Sequence, residues 1–348
     1  MKDSFILVGA SVLGKIVLER LINSGHKVLA YADNNIHKQG TIIDGLSVHS
    51  LSEATKKFPH AIFVITIFTH SHVKKQVSAL GVNYLTLSEF ALQFKEIFLP
   101  FLYLDSPEKV FLSQKEIAQA MLLWSDSNSL TCYVEQIYHR MTLKALDTPF
   151  TDPSKTYFDD AIFTLREDEV FINCGAYDGD TIKVFLEKSK GYFNKIYAIE
   201  PDNNNFSKLS DFSKSLGDRI ELINAAAFNK NGSLYFNASG DVAAAVTNQK
   251  SGTEVTCCTI DSVVKNDKVT LIQMDIEGSE RQALEGCGEI IKKDSPVLVI
   301  CLYHRPDDIW EIPLQIYRLN KNYNFYLKRY SDDGWELVLY AVPKSRAL

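Results

Sequence analysis

Residues 170–181 read VFINCGAYDGDT, an apolar run that stops at a polar, glycine-bearing loop and passes into a helical stretch, TIKVFLEK. About one helix later a second apolar run, IYAIEPD at 196–202, closes on the carboxylate of Glu200. A glycine at the carboxyl end of one strand lets backbone approach a ligand, and an acid ending the next strand accepts two ribose hydroxyls. An open α/β sheet holds an adenosine-containing cofactor in this way. On this reading Asn173, Gly175, Ala176, Asp178, Asp180 and Thr181 surround the amino-acid part of the cofactor, and Glu200, Pro201 and Asp202 its ribose.

Further strands follow at IELINAA, VTLIQMD, PVLVICLY, NFYLKRY and WELVLYAV. Asn224, Ala225 and Ala226 are small residues at a strand end, where an adenine could slide past. Asp275 ends the next strand at a position where a carboxylate can bind cofactor, orient an acceptor hydroxyl or take its proton. Ser279 opens an amphipathic helix behind it. Glu277 is a candidate for substrate binding, although Glu277 and Glu280 equally suit the positive end of that helix dipole. Tyr303, His304 and Arg305 close the strand after that. His304 is either a hydrogen-bonded core histidine or, because imidazole titrates near neutrality, a general base, and with Asp275 it is a candidate for catalysis. Asp275, Glu277 and His304 lack a diagnostic ligand spacing, so no metal is expected. The last two strands are joined by SDDG, ending at Gly334, a hairpin signal.

Residues 4–90 also alternate strand and helix: FILVG, a helix stopping at Gly25, KVLAYAD, AIFVITI and VNYLTL. The loop GASVLG keeps the first and last glycines of a dinucleotide fingerprint, Gly9 and Gly14, but has Ser11 at its centre, and Asp33 ends the second strand. These four residues are candidates for nucleotide binding. Residues 100–165 lose the alternation and read as amphipathic helices, broken at Pro149 and Pro153. The expected organisation is therefore an α/β chain of two Rossmann-like domains, 1–98 and 159–348, joined by a helical connector over 99–158. The second domain is expected to be an open α/β sheet that ends in an antiparallel hairpin, the usual ending of a class I methyltransferase sheet.

Composition narrows the function. The chain has 348 residues, 46% hydrophobic and 23% charged, with a net charge of -6. That charge argues against non-specific nucleic-acid binding, which needs clustered cations. The longest apolar runs are far shorter than the ~20 residues that span a bilayer. The amino terminus lacks the apolar length of a secretory signal, so a cytoplasmic location is expected. Six cysteines without CxxC spacing read as reduced and structural.

The segments VFINCGAYDGDT, IYAIEPDNNNF, CTIDSVV, LIQMDIEGSERQALEG and PVLVICLYHRPDDIWEIP together resemble the FkbM family of S-adenosylmethionine-dependent methyltransferases over roughly residues 160–345. Where many relatives carry Asp after the first strand's Val or Ile, this chain has Asn173, then Cys174 before the glycine. The resemblance implies S-adenosylmethionine as cofactor and methyl transfer to a hydroxyl of a sugar, glycan or related metabolite. Residues 1–95 resemble the small Rossmann-like domain that precedes this methyltransferase in some relatives. They also resemble the nucleotide-sugar-binding domain of PglD-type sugar acetyltransferases, through Gly9, Ala10, Ser11 and Gly14, which implies a nucleotide-sugar as partner. Two rival readings stand beside this one. In the first, GASVLG and Asp33 hold NAD for an oxidoreductase; in the second, the chain is a non-catalytic nucleotide-sugar-binding protein.

Overall fold

The computed structural model describes residues 3–236, 246–247, 253–264 and 266–347. The chain divides into two compact units, each discontinuous in sequence. The first comprises Met1–Leu112, Glu135–Phe150 and Ser331–Trp335; the second comprises Ser113–Val134, Thr151–Tyr330 and Glu336–Leu348. The segment read as a connector is thus shared between the units. It carries the helices Glu108–Leu112, Gln114–Met121 and Ser127–Thr142.

In the first unit, β1 (Ser4–Val8), β2 (Lys27–Ala32), β3 (Ile42–Ile43), β4 (Leu46–His49), β5 (Ile62–Ile65) and β6 (Tyr84–Leu85) form one sheet in the order β3-β4-β2-β1-β5-β6. All pairs are parallel except β3 with β4. The sequence reading did not anticipate β3 and β4, which are short and join through Asp44 and Gly45, both in left-handed conformation. Ile6, Val8, Ala30, Phe63 and Ile65 bury their side chains in the core. The helix Val12–Asn23 stops where the sequence expects, with Gly25 at φ 74 past its end. Capping boxes at Ser50–Glu53 and Thr86–Glu89 start the helices Leu51–Lys57 and Leu87–Gln93 by satisfying their first N–H groups.

A buried polar hub holds this unit together around Asp333. Its Oδ2 accepts from His70 Nε2 (3.0 Å) and Ser88 Oγ (2.9 Å), its Oδ1 from the Leu146 N–H (2.8 Å), and its carbonyl from Gln136 (2.6 Å). Burial alone would raise the Asp333 carboxyl, but the His70 bond and the neighbouring imidazoles hold it well below the usual carboxylate range. His70 is affected in the opposite sense: burial opposes its protonation, and Asp333 overcomes that to raise it. Asp333's contribution is therefore lost as pH falls through its depressed value, and His70's as pH rises through its raised one. The pair stabilises fully only between about pH 4 and about pH 6.5, the ordinary values of the two groups. Asp333→Ala strands two buried donors, His70 and Ser88, and the half-buried Leu146 N–H, and loss of one partner of a buried charged pair costs about 3–5 kcal/mol. Guanidinium unfolding should show a loss of that order; an unchanged midpoint would remove the hub from the account.

The second unit holds β7 (Val170–Cys174), β8 (Lys195–Ile199), β9 (Ile220–Ile223), β10 (Ala226–Ala227), β11 (Gly232–Phe236), β12 (Val246–Thr247), β13 (Thr253–Cys258), β14 (Leu271–Met274), β15 (Val297–Cys301), β16 (Tyr323–Arg329) and β17 (Leu337–Pro343). Seven of these form the main sheet in the order β16-β17-β15-β14-β7-β8-β9. It is parallel from β15 to β9 and closes on the antiparallel β16–β17 hairpin. In the hairpin connection the left-handed conformation falls on Asp333 and Glu336, both at φ 51. Central strands buried on both faces read as continuous apolar runs, and β7, β14 and β15 are buried along their whole length. Strands β10, β13, β11 and β12 make a smaller sheet that the sequence reading did not anticipate as a unit. Among the described residues no helix is long and apolar enough to cross a membrane.

Candidate active site

In the main sheet the chain runs from β7 to β8 on one side and from β14 to β15 on the other, so the strand order reverses between β7 and β14. A crevice opens at such a switch, beyond the carboxyl ends of the strands. A cavity of about 470 Å³ lies there, lined by residues from the ends of β7, β8, β10 and β14. Its volume falls within the ~300–1,000 Å³ of small-molecule sites.

The loop after β7 is pulled toward β8, because the N–H groups of Gly175 and Ala176 both donate to the Ile199 carbonyl (3.0 and 3.1 Å). Gly175 has φ 79, and a Cβ there would sit 1.9 Å from the Asp275 carbonyl oxygen. The close approach of the β14 end is thus enough to demand glycine. Glu200 is 6% exposed. Its Oε2 accepts from the Tyr177 N–H and its Oε1 from the Asp202 N–H, both at 2.9 Å. Burial raises its pKa against the opposing pull of these two N–H groups. A carboxylate has about four lone-pair positions; these two N–H groups take two of them, and a diol would share the others with the Asn205 side chain, which also hydrogen-bonds Glu200.

Of the residues expected to bind cofactor, Gly175, Asp180, Thr181, Glu200, Pro201, Ala226 and Asp275 line the cavity. Ala176 and Asp202 act through their backbone, Ala176 by its bond to Ile199 and Asp202 by its bond to Glu200. Asp178, Asn224 and Ala225 lie outside the lining, and Asn224 Nδ2 donates to the Glu200 carbonyl (3.1 Å). Asn173 is fully buried within the sheet, where it donates to Gln273 on β14. Tyr157, Tyr177, Asn205, Ala227 and Ile276 complete much of the wall and were not singled out from sequence, and Ser279, read there only as a helix start, joins them.

At the β14 end four ionisable side chains converge. His304, 2% exposed, places Nδ1 2.8 Å from Glu280 Oε1 and Nε2 3.2 Å from Asp275 Oδ1; Glu277 Oε2 lies 3.7 Å from the same Nε2. Asp275 Oδ2 accepts from the Tyr157 hydroxyl (2.7 Å) and the Tyr303 hydroxyl (3.1 Å). Burial would raise Asp275, but the bonds from His304 and the two tyrosines lower it. Burial opposes a charge on His304 as well; Glu280 and Asp275 more than compensate, and its pKa lies well above the ordinary value. Glu277 lines the cavity, whereas Tyr303, His304 and Arg305 stand behind it. Arg305 packs against Gly278, where a Cβ would meet its Nε at 3.1 Å.

Three contributors escaped the sequence reading. Tyr157 belongs to an aperiodic, proline-containing segment and takes φ 69. Glu280 fits a helix-dipole role yet is 1% exposed, and it also accepts from the Ile276 N–H (3.0 Å). Glu336, at φ 51, is raised to about 7 by burial and by Asp275, with His304 opposing.

With this geometry in view, similarity to known proteins is specific. Residues 173–327 match the methyltransferase FkbM domain. The FkbM match spans somewhat less than half of the chain and covers the strand ends from Asn173 to His304. It supports a methyltransferase. A crystal structure of a methyltransferase FkbM from Methylobacillus flagellatus KT superposes with a TM-score of 0.77 at 20% identity, covering 97% of this chain and 90% of that one. At that identity the FkbM structure shows a shared fold. An rRNA-methylase from Clostridium thermocellum aligns at 9% identity over 53% of this chain and 91% of its own, with a TM-score of 0.33. A UDP-D-quinovosamine 4-dehydrogenase from Vibrio fischeri aligns at 18% identity over 28% of this chain and 88% of its own, with a TM-score of 0.23. These last two scores are too low to carry an argument. No curated protein matches.

The candidate nucleotide residues of the first unit are arranged as follows. A Cβ on Gly14 would lie 2.2 Å from the Gly9 carbonyl, so packing of the first helix on the end of β1 requires that glycine, whereas Gly9 is required by its φ of 116 and by the Ile67 side chain, 2.8 Å from an added Cβ. Ser11 is the N-cap of that helix, without a side-chain capping bond. Asp33 Oδ2 accepts from the Ala10 N–H (2.9 Å) and Lys38 Nζ (3.1 Å), and its Oδ1 from the Asn35 N–H (2.8 Å). A ribose diol would compete with these bonds.

Proposed function

We propose that the protein is an S-adenosylmethionine-dependent O-methyltransferase acting on a hydroxyl of a sugar, glycan or related metabolite. The observation that carries this reading is one cavity in which the glycine ending β7, the buried carboxylate ending β8 and the carboxylate ending β14 meet. The residues fit the cofactor: Glu200 would hold the ribose diol, the backbone around Gly175 with Asp180 and Thr181 the amino-acid tail, and Ala226 and Ala227 the base. When bound, S-adenosylmethionine supplies an electrophilic methyl group on a sulfonium. The chain's share of the work is to hold the acceptor oxygen in line with that methyl, to keep water out and to receive a proton. Asp275, with Tyr157 and Tyr303 on its Oδ2, forms the acceptor wall.

Two experiments test the reading. Incubation with methyl-labelled S-adenosylmethionine and a pool of nucleotide-sugars and methyl glycosides should give products heavier by one methyl group. Parallel titration with NADH addresses the oxidoreductase alternative; saturable NADH binding without S-adenosylmethionine binding would reverse the assignment. Deleting residues 1–95 and finding full activity on the same acceptor would exclude a substrate-holding role for the first unit.

A further inference from the structure

We propose that Glu277 takes the acceptor's proton, and that His304, clamped between Glu280 and Asp275, is a fixed cation that positions the site without exchanging that proton. The proposal rests on the methyl-transfer reading above and departs from the sequence expectation, which placed proton transfer on His304 or Asp275.

The geometry around His304 sets its protonation state. An ionised carboxylate only accepts hydrogen bonds, and both ring nitrogens face carboxylate oxygens, at 2.8 Å and 3.2 Å. A neutral imidazole would point a lone pair at one of them. With both carboxylates ionised, both nitrogens carry protons, in keeping with the raised pKa of His304, and an imidazolium cannot act as a base. The His304 and Glu280 side chains are 1% and 0% exposed, and neither lines the cavity. Asp275 is also committed, since its two oxygens already take the His304 ring and both tyrosine hydroxyls.

Glu277 differs on each count. It lines the cavity, is 56% exposed, and its one ion pair among the described residues is the 3.7 Å approach to His304 Nε2. It sits between strand and helix at φ 54, followed by Gly278 at φ 94. Two successive left-handed residues reverse the chain, a conformation that a side-chain-bearing residue rarely adopts and that occurs at functional sites. The groups facing it are His304, Asp275 and Glu280, with Glu336 and Tyr303 beyond them. Partial burial raises it to about 6, His304 pulling down while Asp275 and Glu280 push up. A carboxylate near that value is better matched to neutral-pH proton transfer than the depressed Asp275.

The step balances without a further reactant. The acceptor oxygen forms the new C–O bond as the C–S bond breaks, the sulfur keeps that electron pair and becomes a neutral thioether, and the hydroxyl proton passes to the Glu277 carboxylate.

The first test uses nitrogen-15 NMR of histidine-labelled protein near pH 7. His304 should show both ring nitrogens protonated, and Glu280→Gln should let it turn neutral; a neutral His304 in the unmodified protein overturns the clamp. The second measures methyl transfer to the glycoside pool. Glu277→Gln should lower turnover by about 100- to 10,000-fold. Calorimetric affinity for S-adenosylmethionine should stay nearly unchanged, and Glu277→Asp should recover part of the loss. Turnover of the unmodified protein should climb as pH rises through about 6, and this limb should vanish in Glu277→Gln. Equal turnover in Glu277→Gln overturns the proton role. If the unmodified protein methylates nothing in the pool, the methyl-transfer reading is at fault, and the NMR spectrum still decides the state of His304.

Discussion

Glu200→Ala should weaken S-adenosylmethionine binding by roughly 100-fold or more. Each hydrogen bond to a charged group contributes about 1.5–3 kcal/mol, and a ribose offers two hydroxyls to this carboxylate. A tenfold change in affinity corresponds to about 1.4 kcal/mol, so even the lower estimates sum to about two decades. The substitution also removes the acceptors for the Tyr177 and Asp202 N–H groups, which shape the loops on either side of the cavity. Glu200→Gln separates the two effects, because it keeps an oxygen for one N–H but loses the charge. Calorimetric titration measures both variants. An alanine variant that binds as tightly as the unmodified protein would remove the ribose role of Glu200.

Gly175→Ala should destabilise the second unit far more than an alanine at an unconstrained glycine of similar backbone angle. At Gly175 a Cβ would lie 1.9 Å from the Asp275 carbonyl oxygen, so the end of β14 must move. Gly191 has φ 76 with nothing within 4 Å of the same added atom, which makes Gly191→Ala the control. Both variants bear the left-handed backbone cost of about 1–2 kcal/mol. Only Gly175→Ala adds overpacking, typically about 1–3 kcal/mol, and it shifts Asp275 within the site. Guanidinium unfolding of the pair should therefore separate them, with loss of S-adenosylmethionine binding confined to Gly175→Ala. Equal destabilisation would mean that β7 and β14 do not approach as closely as described.

The parts legible in the sequence were those written in local pattern. Continuous apolar runs gave the central strands, and the carboxylate or glycine ending each one gave Gly175, Glu200 and Asp275, because a parallel sheet puts all such ends on one edge. SDDG likewise marked the final hairpin. The parts that escaped depend on chain segments remote in sequence. Tyr157 reaches Asp275 across 118 positions from an aperiodic stretch, so no periodicity points to it. Glu280 reads as a surface acid at a helix start, and only its burial against His304 reveals another use. Asn173 looked available for a ligand until its register partner proved to be Gln273, which occupies it inside the sheet. The sharing of residues 99–158 between two units follows from three-dimensional packing, which amphipathic spacing alone does not encode.

The central claim is that a sulfonium nucleoside occupies the crevice at the ends of β7, β8 and β14. Calorimetric titration of the unmodified protein with S-adenosylmethionine, repeated on Glu200→Ala, tests it most directly. Saturable binding that is lost in the variant is the predicted result. A flat titration with folded, unmodified protein, or binding that persists undiminished in Glu200→Ala, would contradict it.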